Sequence, residues 1–276
     1  MTTIPEDISH SVELALQEDI GSGDITAALI PAANTVNAVI QCRQQAVICG
    51  LPWIEEVYLQ LDPTIKIEWL IEEGDAVETD TEIGIVMGTA REILTGERTA
   101  LNFLQTLSAT ATQTRRLVEL IADTPATLLD TRKTLPGLRA AQKYAVRVGG
   151  GKNHRIGLYD AFLIKENHIA ACGGITPAIT AARESHPDKT LEIEVRSIDE
   201  LNEALLSDPD IIMLDNFTPD SIKEAVVASQ GRCKLEASGG IDQELLVKIA
   251  KTGVDYISVG GLTKHCQAID FSLLVQ

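Results

Sequence analysis

Six short apolar runs, each followed by a polar or glycine-rich group, constrain the fold of this chain more than any other feature. The runs are TLLD, AFLIK, LEIEV, IIMLD, KLEAS and YISVG, and the segments between them are helical in pattern or rich in Gly, Pro and Asn. This succession is typical of βα units built on a parallel sheet. The low aromatic content of 4% also favours buried parallel strands over an antiparallel sandwich.

The groups that end these runs predict a barrel. They are Asp130 to Lys133, Lys165, Glu194, Asp215, Ser238-Gly239-Gly240 and Gly260-Gly261. In a closed parallel barrel the carboxyl ends of all strands converge on one mouth, so these groups would face one cavity. An open doubly wound sheet is the competing fold, but it does not naturally give six strands such ends. We therefore expect an α/β protein with a C-terminal β/α barrel, incomplete and TIM-like, of six or seven strands.

The first part of the chain has a different sequence pattern. Between Val36 and Met87 it contains the β segments AVIQC, AVICG, IKIEWLI and EIGIVM, broken by turns, and residues 97–121 then have the apolar spacing of a long helix. We predict an N-terminal α/β sandwich-like domain with a sheet over residues 1–110 and the barrel over residues 111–264. Residues 265–276 would form a C-terminal segment that packs back on the N-terminal domain.

Charge and cysteine content exclude several classes of protein. The net charge of −17 repels a nucleic-acid backbone and gives no basis for binding a membrane surface. No apolar run approaches the roughly 18 residues needed to span a bilayer. The five cysteines form no CxxC pair and are odd in number, which argues against a disulfide framework or a structural zinc site. We expect a soluble protein of the cytoplasm, with no nucleic-acid or membrane partner.

Basic residues are concentrated in one segment. Eight of the 23 Lys and Arg residues lie between Arg132 and His168, against only Asp160 and Glu166. Arginine grips a carboxylate or phosphate with two hydrogen bonds and lysine supplies a point charge, so this cluster indicates a small ligand with several negative groups. The alternative is a solvated basic face, which the strand-end positions of Arg132 and Lys165 make less favourable.

Two further groups point to phosphate and sugar chemistry. Glycines let backbone N–H groups approach an anion, so Ser238-Gly239-Gly240 with Gly260-Gly261 can bind phosphate. Glu194 and Asp215 end successive strands, where they can coordinate Mg²⁺ or hold sugar hydroxyls, or else pair with basic residues across the mouth. His154 is either a proton donor or an ordinary polar wall residue.

Several long motifs, in fixed order, strongly resemble the quinolinate phosphoribosyltransferase family. They are GERTALNFLQ, DTRKTLPGLR, KYAVRVGGGKNHRIGLYDAFLIKENHI, LEIEV, IIMLDN, LEASGGI and VDYISVGGLT. The resemblance implies a sheet-containing N-terminal domain and an incomplete barrel. It also implies transfer of phosphoribosyl from 5-phosphoribosyl 1-diphosphate to quinolinate with decarboxylation. The products would be nicotinate mononucleotide, diphosphate and CO₂, in de novo NAD biosynthesis.

The resemblance also implies roles for individual residues. Quinolinate would be surrounded by Arg98, Arg132, Lys133, His154, Arg155 and Lys165. Glu194 and Asp215 would face the ribose and Mg²⁺, directly or indirectly, and Ser238, Gly239 and Gly260 would lie near phosphate. Among these we expect Lys133, Lys165, Glu194 and Asp215 to be catalytic, with Mg²⁺ and no organic cofactor. The chain departs from the family pattern at Glu166, where aspartate is expected, and at Gly261, Lys264 and His265, where alanine, histidine and serine are frequent.

Arg98 raises the question of assembly. If residues 99–121 form one helix, it carries the chain roughly 35 Å from Arg98, and the following strand returns only about 13 Å. Arg98 would then be too far from Arg132 of its own chain. The resemblance independently implies a homodimer, or a multiple of dimers, in which this arginine crosses into the partner's site.

Two other functions remain open on the sequence. A Schiff-base lyase would use Lys165 as an amine on a barrel strand. A relative with the same fold, such as those associated with molybdenum transport, would take another acceptor or only bind a ligand. The full basic set around DTRKT and NHR argues for quinolinate.

Overall fold

The computed structural model describes residues 3–276 and divides them into two compact units. Unit 1 contains the described residues up to Arg115 together with Thr134–Gly150 and Leu262–Gln276. Unit 2 contains Arg116–Lys133 and Gly151–Gly261.

Unit 1 is built on an antiparallel sheet. Its strands are β1 (Thr35–Cys42), β2 (Ala46–Val47), β3 (Lys66–Trp69), β4 (Ala76–Val77), β5 (Thr81–Thr89) and β12 (Phe271–Val275). Four of them form one sheet in the order β12-β1-β5-β3, and β2 pairs with β4. The predicted sheet near the N-terminus is therefore confirmed.

Four helices accompany this sheet, namely α1 (Ile8–Ile20), α2 (Leu51–Leu61), α3 (Ala90–Leu120) and α4 (Arg139–Val148), with a 3-10 turn at Ala27–Leu29. In α2 the buried positions Trp53, Ile54, Val57 and Tyr58 recur at helical spacing, so one face of the helix enters the core. The long helix predicted over residues 97–121 corresponds to α3, which has 31 residues and ends one residue earlier, at Leu120. Within the described part of the chain, no helix is both long and apolar enough to cross a membrane.

Unit 2 contains the predicted parallel sheet. The six apolar runs form β6 (Thr127–Leu129), β7 (Phe162–Ile164), β8 (Leu191–Val195), β9 (Ile211–Asp215), β10 (Lys234–Ser238) and β11 (Tyr256–Ser258). Their order is β6-β11-β10-β9-β8-β7, and every pairing is parallel. On the far side of β6, Lys152 adds a parallel bridge to Leu129. The expectation of a β/α barrel-like sheet of six strands is confirmed.

Helices follow the strands of unit 2, as the βα succession requires. They are α5 (Glu166–Cys172), α6 (Ile175–Ser185), α7 (Ile198–Leu205), α8 (Pro219–Ser229), α9 (Gln243–Ala250) and the short α10 (Gly261–Lys264), which crosses into unit 1. Three begin at a side-chain cap, since Ser197, Thr218 and Asp242 each accept the N–H of the residue three positions later. Such caps satisfy orphan N–H groups and fix where each helix starts.

The two units divide the chain differently from the predicted domains. The boundary after the N-terminal part falls at Arg115, inside α3, and Thr134–Gly150 groups with unit 1 although the sequence placed it in the barrel. The physical reason is that α4 packs in unit 1, where Arg115 donates from Nε to the carbonyl of Gly149 at 3.2 Å. The C-terminal segment lies in unit 1, where β12 pairs with β1.

We expect Gly149→Ala to destabilise unit 1. Gly149 has an ordinary helical φ of −69°, so any residue could adopt its backbone conformation. A methyl group there would lie 2.6 Å from both the Ala111 carbonyl oxygen and Thr114 Cβ. Overpacking of this kind costs about 1–3 kcal/mol, which thermal unfolding would register as a lower Tm.

The control is Gly137→Ala, where nothing lies within 4 Å of the new methyl group and only the positive φ of 76° opposes it. We expect its cost to be the smaller of the two, about 1 kcal/mol. A Gly149→Ala protein that unfolds at the wild-type Tm would show that the helices α3 and α4 can separate at no cost.

Candidate active site at the mouth of the parallel sheet

The predicted site residues, with the exception of Arg98, all belong to unit 2. Because its six strands are parallel, their carboxyl ends lie along one edge of the sheet. The groups at or just beyond that edge are Arg132 and Lys133 after β6, Lys165 after β7, Glu194 in β8, Asp215 in β9, Ser238 with Gly239 and Gly240 at β10, and Gly260 with Gly261 after β11. The structure thus brings residues from 130 positions of sequence to one mouth.

The segment that carries His154 and Arg155 is attached to the outer side of β6. Asp130 N donates to the carbonyl of Lys152 at 3.2 Å, and Lys152 N donates to Leu128 at 2.9 Å. The carboxylate of Asp130, which is fully buried, accepts from Asn153 Nδ2 at 2.5 Å and from the backbone N–H of His154 at 3.0 Å. One buried acid therefore fixes the course of the chain into the site.

Arg132 and Arg155 form a pair of half-buried cations. Burial lowers the pKa of Arg155, and the neighbouring Arg132 lowers it further, while the carboxylates of Glu192 and Asp160 act in the opposite direction. Two guanidinium groups held near each other repel, and an anion with two carboxylates would relieve that repulsion. The pair is suited to a dianionic ligand.

The imidazole of His154 faces a buried pair of glutamates. Its Nε2 lies 2.8 Å from Glu192 Oε2 and 3.5 Å from Glu236 Oε2, and these glutamate side chains are 4% and 0% exposed. Its Nδ1 accepts the backbone N–H of Arg155 at 2.7 Å. Burial, with the nearby carboxylate of Glu192, raises the pKa of Glu236 to about 8. A histidine with two glutamates is also a donor set that divalent transition metals use.

Two ion pairs connect the ends of β7 and β8. Lys165 Nζ lies 2.7 Å from Glu194 Oε2, and in the reverse direction Arg196, just after β8, pairs with Glu166, just after β7. The guanidinium of Arg196 also lies 3.9 Å from Asp215 Oδ2. The alternative role predicted for the two strand-end carboxylates, pairing with basic residues, is therefore present in this structure.

Glycines allow close approach at the other side of the mouth. Gly239 has a φ of +110°, and a methyl group there would collide with the side chain of Asn216. At Gly260 a methyl group would lie 3.0 Å from Lys133 Cδ, so the glycine leaves room for the lysine stem. These positions favour backbone N–H groups and a lysine ammonium as the anion-binding groups.

Some of the predicted cations lie elsewhere. Arg139, Lys143 and Arg147 are on α4, in unit 1, so the eight basic residues of the segment are shared between two units. Arg98 is on α3 in unit 1, with its side chain 58% exposed and 3.9 Å from Glu97. Of the departures from the family pattern, Lys264 and His265 belong to unit 1.

Several polar residues of the mouth were not predicted as site residues, namely Asn153, Glu192, Arg196 and Glu236. A signal for the glutamates was available, because each is an acid inside an otherwise apolar buried strand. Glu192 and Glu194 stand two apart in β8, and Glu194 and Glu236 both pair in register with Met213, so all three acids share one face of the sheet.

Comparison with known proteins gives consistent matches over nearly the whole chain. Residues 24–108 match the family model described as quinolinate phosphoribosyl transferase, N-terminal domain, and residues 110–274 match the C-terminal domain of the same family. A probable nicotinate-nucleotide pyrophosphorylase [carboxylating] of Bacillus subtilis (strain 168) is 40% identical, over 93% of this chain and 89% of that protein. The quinolinate phosphoribosyltransferase [decarboxylating] 1b of Nicotiana tabacum is 39% identical, over 98% of this chain and 82% of its own length.

A solved structure agrees with the fold in detail. The nicotinate-nucleotide pyrophosphorylase from Francisella tularensis superposes with a TM-score of 0.96 at 51% identity, and the match covers 100% of this chain and 98% of that one.

The raised pKa of Glu236 predicts a pH-dependent loss of stability. The folded protein holds this proton more tightly than the unfolded chain, where glutamate titrates near 4.5, so stability falls as pH rises from about 4.5 towards about 8. Glu236→Gln removes this dependence. We measure the Tm of the variant minus the Tm of wild type at two pH values. We expect this difference to be at least about 2 °C larger at pH 8.5 than at pH 5.

Glu224→Gln, on the exposed surface of α8, is the control for loss of one glutamate charge. Its Tm difference from wild type at the two pH values sets the baseline. If Glu236→Gln follows the same baseline, the Glu236 carboxyl is not the buried proton-holding group that the geometry indicates.

Proposed function

The chain belongs to the quinolinate phosphoribosyltransferase family, and we propose that the mouth of unit 2 is where it carries out the family's reaction. That reaction transfers phosphoribosyl from 5-phosphoribosyl 1-diphosphate to quinolinate and releases diphosphate and CO₂, giving nicotinate mononucleotide for NAD biosynthesis. The observation that carries the proposal is that unit 2 combines two half-buried cations that interact electrostatically, Arg132 and Arg155, with the strand-end carboxylates Glu194 and Asp215.

The acceptor end of the site is the basic side. Quinolinate carries two adjacent carboxylates, and the groups we assign to them are Arg132, Lys133, His154, Arg155 and Lys165. Guanidinium groups bind carboxylates with two parallel hydrogen bonds, which fixes the plane of the ring as well as its charge. Lys165 lies in an ion pair with Glu194, which suits a cation that binds anions and not a free amine nucleophile. We therefore favour the transferase over a Schiff-base lyase.

The donor end is the acidic and glycine-rich side. We assign the ribose to Glu194 and Asp215, and the phosphate groups to Ser238, Gly239, Gly240, Gly260 and Gly261. The two carboxylates offer the hard oxygen ligands that Mg²⁺ takes, so the residues fit this ion, held directly or through water. When bound, Mg²⁺ would supply positive charge to the departing diphosphate. Each carboxylate has a protein cation nearby, Lys165 or Arg196, that would have to give way to it.

The two ends of the site suit the two charges of the transition state. As the pyridine nitrogen forms its bond to C1 of the ribose, the bond from C1 to the diphosphate oxygen breaks, and positive charge grows on the sugar. Glu194 and Asp215 favour that charge. Lys133 lies between the two ends, since its stem approaches Gly260 on the phosphate side, and together with backbone N–H groups it also favours the negative charge of the leaving group. Lys165 holds the acceptor in line with C1.

The second step needs little from the protein. Once the nitrogen is ribosylated, the ring is a pyridinium. When the adjacent carboxylate departs as CO₂, the electron pair of the broken bond stays on the ring carbon as a carbanion, which the neighbouring positive nitrogen stabilises. A proton then takes the place of the carboxylate on that carbon. The substrate itself supplies the stabilising charge, so we propose a reaction without an organic cofactor.

We also propose a homodimer, or a multiple of dimers, in which Arg98 completes the acceptor site of the partner. Arg98 is exposed on unit 1, with its Nη2 3.9 Å from Glu97 Oε1. A two-fold dimer would exchange this group reciprocally between two identical sites.

We place the protein in the cytoplasm, which suits its five free cysteines.

We expect Arg132→Ala to leave the fold intact and to reduce kcat/KM for quinolinate by about 30- to several-thousand-fold. Loss of such a charge-assisted contact costs on the order of 2–5 kcal/mol. Arg132→Lys should also fail substantially, because a point charge does not replace the planar fork. Steady-state kinetics on both variants measure this.

Arg183→Ala is the matched control, because Arg183 pairs with Asp210 at 3.1 Å at the amino-terminal edge of the sheet. It removes an arginine and an ion pair from the same unit without touching the mouth. Near-normal kcat/KM in a folded Arg132→Ala enzyme would refute the acceptor assignment.

A complementation experiment tests the shared site. Arg98→Ala and Lys165→Ala, each inactive alone, are co-expressed under separate tags and the mixed dimers are purified. Each mixed dimer should contain one intact site and one doubly damaged site. Random assembly makes half of the molecules mixed, so the unfractionated mixture should recover up to about a quarter of wild-type activity. Mixed dimers no more active than either parent would count against the crossing of Arg98.

A further inference from the structure

Two buried glutamates of unit 2 have no place in the reaction as described. Glu192 and Glu236 lie on the inner strands β8 and β10, with side chains 4% and 0% exposed. Burying a carboxylate costs several kcal/mol unless it is well paired, and well-packed apolar residues often serve stability as well or better. A fold that needed only a filled interior would not require acids at these two positions.

Both glutamates converge on one ring. His154 Nε2 lies 2.8 Å from Glu192 Oε2 and 3.5 Å from Glu236 Oε2. Its other nitrogen, Nδ1, accepts the backbone N–H of Arg155 at 2.7 Å, so a neutral ring carries its proton on Nε2, towards the glutamates. The ring is therefore held from both ends, by carboxylates on one side and by the main chain of Arg155 on the other.

The main chain held in this way carries a cation of the acceptor site. Arg155 follows directly on His154, and its guanidinium is close enough to Arg132 to lose proton affinity. Its Nη1 donates a long hydrogen bond of 3.5 Å to the carbonyl of Ala161. Rotation of the His154 ring would release the Arg155 N–H and let the guanidinium move relative to Arg132.

We propose that Glu192 and Glu236 are positioning residues for the acceptor. They hold the imidazole of His154, which fixes the main chain of Arg155 and so sets the spacing of the two guanidinium groups that receive a pyridine dicarboxylate. This role rests on the proposed function and adds two positioning residues to its acceptor site. It predicts that the two acids matter for the acceptor and not for the phosphoribosyl donor, although they belong to the strands that carry the donor's carboxylates and glycines.

The test compares two replacements of one residue. Glu192→Met fills the volume but has no oxygen to face His154 Nε2, whereas Glu192→Gln keeps one at that position. We expect the Met variant to bind quinolinate at least about 10-fold more weakly in calorimetry, and the Gln variant to stay within about 3-fold of wild type, as for other groups that orient a binding residue. Binding of phosphoribosyl diphosphate should change by less than about 2-fold in both.

The control is Met213→Leu, a volume-conserving change on the neighbouring strand β9, in register with Glu236 and on the same face. It should leave the affinity for quinolinate unchanged. If wild type does not bind quinolinate, the proposed function fails. If wild type binds and Glu192→Met binds equally well, or loses both ligands alike, the positioning role is overturned and the function stands.

A spectroscopic measurement covers the case in which Glu192→Met does not fold. The chain has five histidines, so the ¹⁵N spectrum of ring-labelled protein is simple. We expect one ring in wild type with a hydrogen-bonded, unprotonated Nδ1 and a protonated Nε2. Its signals should move in Glu192→Gln and stay in Glu224→Gln. Absence of such a ring, or its indifference to Glu192→Gln, overturns the proposal.

Discussion

Charge balance at the mouth of the parallel sheet is the constraint on which the rest of unit 2 depends. Parallel strands bring their carboxyl ends together, and here those ends carry both signs of charge. Guanidinium groups in a half-buried pocket need carboxylates nearby, and buried carboxylates need cations or N–H donors. Asp130 accepts from Asn153 and from the main chain of His154, while Glu194 takes the ammonium of Lys165. Protein groups therefore pair these charges within the site itself.

The same pairing of opposite charges involves Glu166, one of the departures from the family pattern. Where the family pattern led us to expect aspartate, this chain has Glu166, and its carboxylate pairs with Arg196. Both side chains are about half exposed, so the pair adds little to stability. Its effect is on orientation, because Arg196 also stands 3.9 Å from Asp215 at the end of β9. Through Arg196, Glu166 connects the end of β7 to a carboxylate that we propose faces the donor.

The sequence was sufficient to predict the strands and the mouth, because an apolar run with a polar end is a local signal. It was not sufficient for contacts that depend on how the strands pack. Glu192 and Glu236 were hidden inside apolar runs, and nothing in their spacing says that both reach His154. The grouping of α4 with unit 1 was missed for a similar reason, since the close approach of Gly149 to Thr114 is a tertiary contact. Local pattern predicts elements, whereas partners across elements require the fold.

The proposed reaction is tested most directly by the ratio of its three products. Purified enzyme is given phosphoribosyl diphosphate and Mg²⁺ with either quinolinate or nicotinate, and CO₂, diphosphate and nucleotide are counted. The pocket is built around two guanidinium groups, so quinolinate should yield the three products in equal amounts. Nicotinate, with one carboxylate, should yield little nucleotide and no CO₂. Equal use of both acceptors, or release of diphosphate without CO₂ from quinolinate, would contradict the account.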